Sequence, residues 1–407
     1  MQTVCSASET GDNMRETVQS DSVRCTGCGA CQTVCPKQAI SMQPDAEGFL
    51  YPRVNGELCI DCDLCEKRCP SGKINKRSAP EMLGGCIKDE KIRLKSSSGG
   101  LFTALAAGMI RQGGVVFGTV MNESLTAELV GVFSEEALAE IRGSKYVQSQ
   151  SADAIRNAAD LVRRGIPVLF SGTPCQVAGL YAALDGETPD NLLTVDFVCH
   201  GTPSPGVFAS YVRELERRHG GQVISFAFRD KRLGWKNFST MAVFKDGSTE
   251  TGTQTTDPFL RGFLQNLYLR PSCHECRLRF DSLPADLTIA DLWGADQICP
   301  ERDDDSGLSL MLIHSPAGKA WFEACTGLET FPISSAEPFK RVNPSLFSPS
   351  IPHRKREKFF RLYGKHGFSF DDINSLLAPP GRLERTWAWI LHVPSAVARR
   401  LGGAAKK

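Results

Sequence analysis

Apolar and polar positions alternate differently in a short leading segment and in the long body that follows it. In the body, the compact apolar runs VVFGTVM (115–121), ELVGVFS (128–134), PVLFSG (167–172), LLTVDFV (192–198) and VISFAFR (223–229) read as strands. Between them LFTALAAGMIRQ (101–112), SADAIRNAADLVRRG (151–165) and PGVFASYVRELERRHG (205–220) carry apolar residues at helical spacing. Such alternation predicts a larger α/β domain with a largely parallel or mixed sheet covered by helices. DLTIADLWG (286–294) reads as a further strand, ending at Asp291, Trp293 and Gly294. In the leading segment AISMQPDAEGFLYPRV (39–54) alternates around a turn at Asp45–Gly48 and predicts a hairpin. The whole reads as a small α+β N-terminal domain, the larger α/β domain with its mixed sheet, and a basic helical C-terminal tail. The expected boundaries are an arm over 1–20, domains over 21–78 and 79–350, and a helical extension over 351–407.

Composition changes this picture little. The chain has 407 residues, 41% hydrophobic and 23% charged, and its net charge of +1 gives no reason to expect nucleic acid as a partner. The first twenty residues lack the apolar stretch of a signal peptide, and no run of 18 apolar residues exists, so a cytoplasmic protein with reduced cysteines is expected. The last residues, PPGRLERTWAWILHVPSAVARRLGGAAKK (379–407), set Trp387, Trp389, Ile390, Leu391 and Val393 beside Arg399, Arg400, Lys406 and Lys407. That basic amphipathic pattern fits a membrane surface or a partner subunit, although Pro394 interrupts it.

The sixteen cysteines carry the chemistry. Cys25, Cys28, Cys31 and Cys35 read C-x2-C-x2-C-x3-C-P, and Cys59, Cys62, Cys65 and Cys69 repeat the spacing, each ending on a proline (Pro36, Pro70). Three evenly spaced thiolates wrap one cubane while the fourth turns to its neighbour. One 4Fe-4S cluster is therefore expected on Cys25, Cys28, Cys31 and Cys69, the other on Cys35, Cys59, Cys62 and Cys65. Zinc uses paired CxxC motifs and has no need of this doubled pattern. Over residues 20–75 the segment resembles a bacterial two-cluster ferredoxin. Farther on, Cys175 opens a helix after a strand, Cys199 ends another strand, and Cys273 and Cys276 form a CxxC among Arg270, Arg277 and Arg279. By spacing alone these four fit a third cluster, a zinc ion, a redox pair or buried small hydrophobes. Cys5, Cys86, Cys299 and Cys325 have no readable partners and are taken as structural.

Other loops add polar chemistry. KSSSGGLFTAL (95–105) places Ser97, Ser98, Gly99 and Gly100 before a helix, a pattern that serves either an anion or a plain cap. GSKYVQS (143–149) supplies Lys145, and FRDKRLGWKNF (228–238) gathers Arg229, Lys231, Arg232 and Lys236 around Trp235, either for a polyanionic ligand or as a solvated turn.

Taken in order, SSGGLFTAL, SKYVQS, GTPCQVAGL, VCHGTPSP, FRDKRLGW, CHEC and ADLTIADLWG resemble the beta subunits of coenzyme F-420 hydrogenases and dehydrogenases, over about residues 20–350. The resemblance implies an FAD-binding iron–sulfur oxidoreductase that moves electrons between a reduced carrier, coenzyme F-420 or similar, and 4Fe-4S clusters. It implies FAD contacts at Ser97, Ser98, Gly99, Gly100, Lys145 and Gln148, and a further cluster on Cys175, Cys199, Cys273 and Cys276. Arg229, Lys231 and Lys145 are the candidates for steadying a reduced flavin; no side chain is assigned a catalytic role. The alternative from another class is a non-catalytic ferredoxin-type subunit that docks a partner enzyme, in polysaccharide biosynthesis for some relatives. A zinc-binding regulator is the third.

Overall fold

The computed structural model describes residues 21–378, together with the two-residue strand Met14–Arg15. At its centre lies an eight-stranded sheet in the order Leu328–Pro332, Glu81–Ile87, Ser309–Ile313, Leu287–Asp291, Leu192–Phe197, Val168–Gly172, Val115–Met121, Ala127–Val132. The four strands from Leu287–Asp291 to Val115–Met121 run parallel, and the flanking pairs are antiparallel, so the sheet is mixed. Val168–Gly172 is buried at every position, as expected of a parallel strand covered on both faces. Helix Leu101–Arg111 helps cover one face with Leu105 and Met109, against Val116, Leu169 and Leu193. Helices Ala152–Arg163 and Pro174–Ala183 cover the other, against Phe117, Val168 and Phe170.

The run at 223–229 is a strand but stands outside this sheet. Val223–Asp230 belongs to a separate three-stranded antiparallel sheet with Ser239–Phe244 and Thr249–Thr253. Its burial explains the placement: Val223 and Phe226 are buried while Ile224 is 50% exposed, a half-buried strand rather than a central one. Helix Pro205–His219 packs on it through Phe208 and Tyr211, within an aromatic core that also holds Phe259, Tyr268, Phe359 and Phe368. Helices Arg356–His366 and Phe370–Leu376, from the expected C-terminal extension, complete that core. The tryptophan-rich stretch beyond 378 lies outside the described residues.

The leading segment folds as the hairpin Ile40–Pro44 and Leu50–Asn55 with short helices Ala30–Val34 and Leu64–Lys67. Met14–Arg15, within the expected arm, adds a short strand against Asn55 and Val54. The hairpin turn enters the body. A Cβ on Gly48 would lie 2.7 Å from the Gly206 Cα, and Arg356 donates to Glu47 across the same contact (Nη1–Oε1 2.9 Å). No helix among the described residues is long and apolar enough to cross a membrane.

Candidate cluster and cofactor site

In an open α/β sheet the carboxyl ends of the parallel strands frame the binding crevice. Here Gly172, Phe197 and Asp291 end three such strands, and the chain turns at once into Thr173–Cys175, Cys199–His200 and Trp293–Gly294. These turns line a cavity of about 720 Å³, within the range of roughly 300–1,000 Å³ usual for ligand sites.

Part of the lining is polar and cationic. Gly100 (φ +83°) turns the chain into helix Leu101–Arg111, whose first residues line the space with Ser97 and Ser98. The Ser97 hydroxyl accepts from the Ser144 N–H at 2.7 Å, and the Ser98 hydroxyl donates to the Leu308 carbonyl at 2.6 Å. Arg142 and Lys145 face the same space. Burial, with Arg142 nearby, pushes the Lys145 amine down from its ordinary 10.5 to about 7, while it donates to the Glu140 and Arg142 carbonyls. Arg229 is buried and bidentate on Asp291 (2.9 and 3.0 Å), donates to the Ser97 carbonyl at 2.8 Å, and leaves its Nε without a partner. Burial works against its charge, and the Asp291 carboxylate overrides that and holds it above its usual range. Trp235 donates to Asp291 and stacks on Trp293, centroids 4.8 Å apart, so that Trp293 forms part of the wall.

Two of the expected contacts stand behind this wall. Gly99 is absent from the lining: its N–H donates to Ser309, and a Cβ there would meet the Gly85 carbonyl oxygen at 2.5 Å. Lys231, also outside the lining, spends its three N–H bonds on the carbonyls of Arg93, Ser98 and Ser306. That geometry needs the ammonium, although burial and Arg229 push its pKa down to about 7. Gln148 reaches the cavity, but its amide oxygen accepts from the hairpin N–H of Leu50 at 3.0 Å and from Arg270 at 3.2 Å. The strand end Asp291, Trp293 and Gly294, which the sequence offered either as lining for a flat cofactor or as core, lies in the lining. Arg142, Ser144 and Tyr146 line the space without having been singled out as ligands; of these, the Arg142–Gly143–Ser144 run offered a signal, a cation followed by a turn.

The same cavity is also lined by Cys175, Cys199 and the Thr26–Gly27 turn. Burial raises the Cys175 thiol, and thiolates at Cys199, Cys28 and Cys276 would repel its own. Cys199 is pushed up to about 12 by burial and by Cys273 and Cys276. The four late cysteines thus converge, and Cys28 of the leading segment stands beside them. There, Cys31 feels Cys28, Cys25 and Cys69 in addition to its burial. Cys65 feels Cys35, and Cys35, Cys59 and Cys65 pack on one small core. None of the described cysteines forms a disulfide. Among the described residues no three His, Cys, Asp or Glu side chains close around a single-ion position. A cubane spreads its thiolates wider than one tetrahedral zinc does.

Donor set and surroundings both fit cubane clusters. Backbone N–H groups point at sulfur, Thr202 at Cys273 and Ala39 at Cys35, each at 3.3 Å. Gly179 leaves room beside Cys28, where a Cβ would lie 3.4 Å from the sulfur. Buried mutually repelling thiols bind metal as thiolates, releasing protons as the ion's charge replaces them.

The geometry defines a class: a cysteine-rich electron-transfer segment docked on the crevice of an α/β domain. Residues 24–73 match a 4Fe-4S dicluster domain. Residues 82–156 and 167–336 match the N-terminal and C-terminal parts of the coenzyme F420 hydrogenase/dehydrogenase beta subunit, and the chain belongs to that family. It is accordingly an iron–sulfur electron-transfer subunit of the hydrogenase/dehydrogenase type. One subunit of the F(420)H(2) dehydrogenase of Methanosarcina mazei is 26% identical over 322 residues, 76% of this chain and 83% of that one. An uncharacterised ferredoxin of Methanocaldococcus jannaschii is 39% identical over 54 residues, 13% of this chain and 69% of its own. A chain of the F420-reducing [NiFe] hydrogenase complex from Methanosarcina barkeri aligns at 19% identity and TM-score 0.46, covering 75% of this chain and 92% of that chain.

Proposed function

We propose that the protein is an FAD- and iron–sulfur-dependent oxidoreductase that passes electrons between a reduced deazaflavin-type carrier and three 4Fe-4S clusters. The observation that supports it is a single cavity whose lining holds both cationic side chains, Arg142, Lys145 and Arg229, and the cysteines Cys175 and Cys199. FAD bound there would take up a hydride and release its two electrons singly to centres that accept one each.

The chain's own residues do the positioning. The start of helix Leu101–Arg111, Ser97, Ser98, Arg142 and Lys145 offer N–H, hydroxyl and cationic partners for a pyrophosphate. Arg229 braces the serine loop through the Ser97 carbonyl and keeps positive charge where a reduced flavin would carry negative charge. Cys175 and Cys199 set the third cluster against the same space, and Cys28 leads from it to the first. Beyond lie Cys35, Cys59, Cys62 and Cys65, where Leu58 and Ile60 are 50% and 55% exposed. That apolar edge is the face for a partner subunit.

The test is anaerobic purification with iron, sulfide and flavin counts. Iron for three clusters with one flavin per chain is the expected result. The Ser98→Leu variant should lose flavin while keeping iron, and Cys175→Ser should lose about a third of the iron. Unchanged flavin in the first variant would overturn the phosphate assignment.

A further inference from the structure

Of the three arginines around the CxxC, each does something different. Arg277 is exposed. Arg279 backs the third cysteine set, donating to the Cys199 carbonyl at 3.0 Å and the Cys276 carbonyl at 3.4 Å. Arg270 turns the other way. Its backbone belongs to the third set, since its carbonyl accepts the Cys273 N–H at 2.9 Å and its own N–H donates to Thr202. Its side chain crosses into the leading segment and is 1% exposed. There it donates to the Cys25 carbonyl (2.8 Å), the Leu50 carbonyl (3.1 Å) and the Gln148 amide oxygen (3.2 Å), and reaches the Cys25 sulfur at 3.5 Å. The Tyr51 ring lies 3.9 Å beneath it. The oxygens that hold it are all neutral. A guanidinium taken this far from water without an opposing charge is strongly disfavoured.

We infer that the anion Arg270 answers is the first cluster, and that Arg270 sets that cluster's reduction potential. This rests on the ligand set proposed above. A 4Fe-4S core with four thiolates is a dianion when oxidised and a trianion when reduced. Its reduction takes one electron from an external reductant and needs no proton, and no bond is made or broken. A fixed cation at a ligand sulfur stabilises the trianion more than the dianion, and burial leaves that attraction weakly screened. The N–H···S contact works in the same direction. Gly27 makes room for it: a Cβ at this residue (φ +69°) would come within 3.0 Å of the guanidinium. Because the backbone of Arg270 frames Cys273, the same residue fixes the first cluster against the third.

The experiment is a dithionite titration of the loaded protein followed by electron paramagnetic resonance, on wild type, Arg270→Lys and Arg270→Met. In Arg270→Met, one cluster should become at least tenfold harder to reduce, a fall of about 59 mV for a one-electron couple. Arg270→Lys should keep most of the wild-type value. Three clusters present in Arg270→Met with unmoved potentials would overturn the proposal. A second reading does not depend on how well the variants load, because it uses the wild-type protein grown on 15N-arginine. Its reduced first cluster should show a 15N hyperfine coupling, and a fully loaded protein without one overturns the proposal. Wild type that binds no iron would instead bring down the ligand assignment, and this inference with it.

Discussion

The Arg229–Asp291 pair gives the most exacting test of how the cationic part of the cavity wall is built. The Arg229 side chain is 3% exposed and that of Asp291 19%, and the Asp291 carboxylate also accepts from Trp235 at 2.8 Å. In Asp291→Leu the guanidinium is left buried without its counter-charge, and the indole N–H loses its acceptor. Removing one partner of a buried pair costs ~3–5 kcal/mol. The partial exposure of Asp291 admits some water, which favours the lower end, ~3 kcal/mol. With a urea slope of ~3 kcal/mol/M, the midpoint should fall by ~1 M. The assay is urea unfolding under anaerobic conditions followed by tryptophan fluorescence, since Trp235 and Trp293 report from the site itself. Arg229→Met with Asp291→Leu removes both charges and should recover part of the loss, with a coupling of ~1.5–3 kcal/mol across the double-mutant cycle. A single variant costing under ~1 kcal/mol, or a double costing the sum of the singles, would refute the view that desolvated charge organises this loop.

Further outcomes follow from Lys145 and Gly27. With its pKa lowered to about 7, Lys145 is mostly neutral above that pH in the free site, whereas a bound phosphate favours the ammonium. FAD affinity should therefore weaken as pH rises from 7 toward 9, by up to about tenfold per unit, and the slope should flatten in Lys145→Met; an equally steep slope there would exclude Lys145. The same shift means that the unfolded chain holds more protons than the folded one between about 7 and 10.5, so burial of Lys145 costs most stability below 7 and least above 10.5. In Gly27→Ala the left-handed backbone (φ +69°) is strained by ~1–2 kcal/mol, and the new Cβ would meet the Gln148 Nε2 at 2.3 Å. Iron should leave the first cluster roughly tenfold faster under a chelator, with flavin content unchanged; wild-type release rates would show that this glycine is not required.

Much of the core layout was legible because local pattern and long-range role agreed. The runs at 115–121, 167–172 and 192–198 are mostly apolar and mostly buried, as a central parallel strand requires. The block at 223–229 looked the same, but which sheet it joins depends on Ser239–Phe244, which pairs with it from ten or more residues away. The strands Glu81–Ile87 and Ser309–Ile313 pair with each other antiparallel across more than two hundred residues, a contact to which local spacing is blind. The site divides in the same way. Cysteine spacing marked the dicluster segment because its rule is local, whereas Lys231 and Gly99 belonged to loops that line the cavity and themselves stand outside its lining. Facing is decided by tertiary packing. Arg270 shows the remaining gap: its place in sequence is beside Cys273, and the length of its side chain carries its charge to Cys25 of the leading segment.

The hairpin turn wedged against Gly206, with Glu47 held by Arg356, makes the cysteine-rich segment an inlaid part rather than a tethered carrier. Electrons crossing from the crevice to the outer edge therefore travel over spans fixed when the chain folded. Their pace is governed by separation and driving force, and the medium's resistance to a moving arm does not enter.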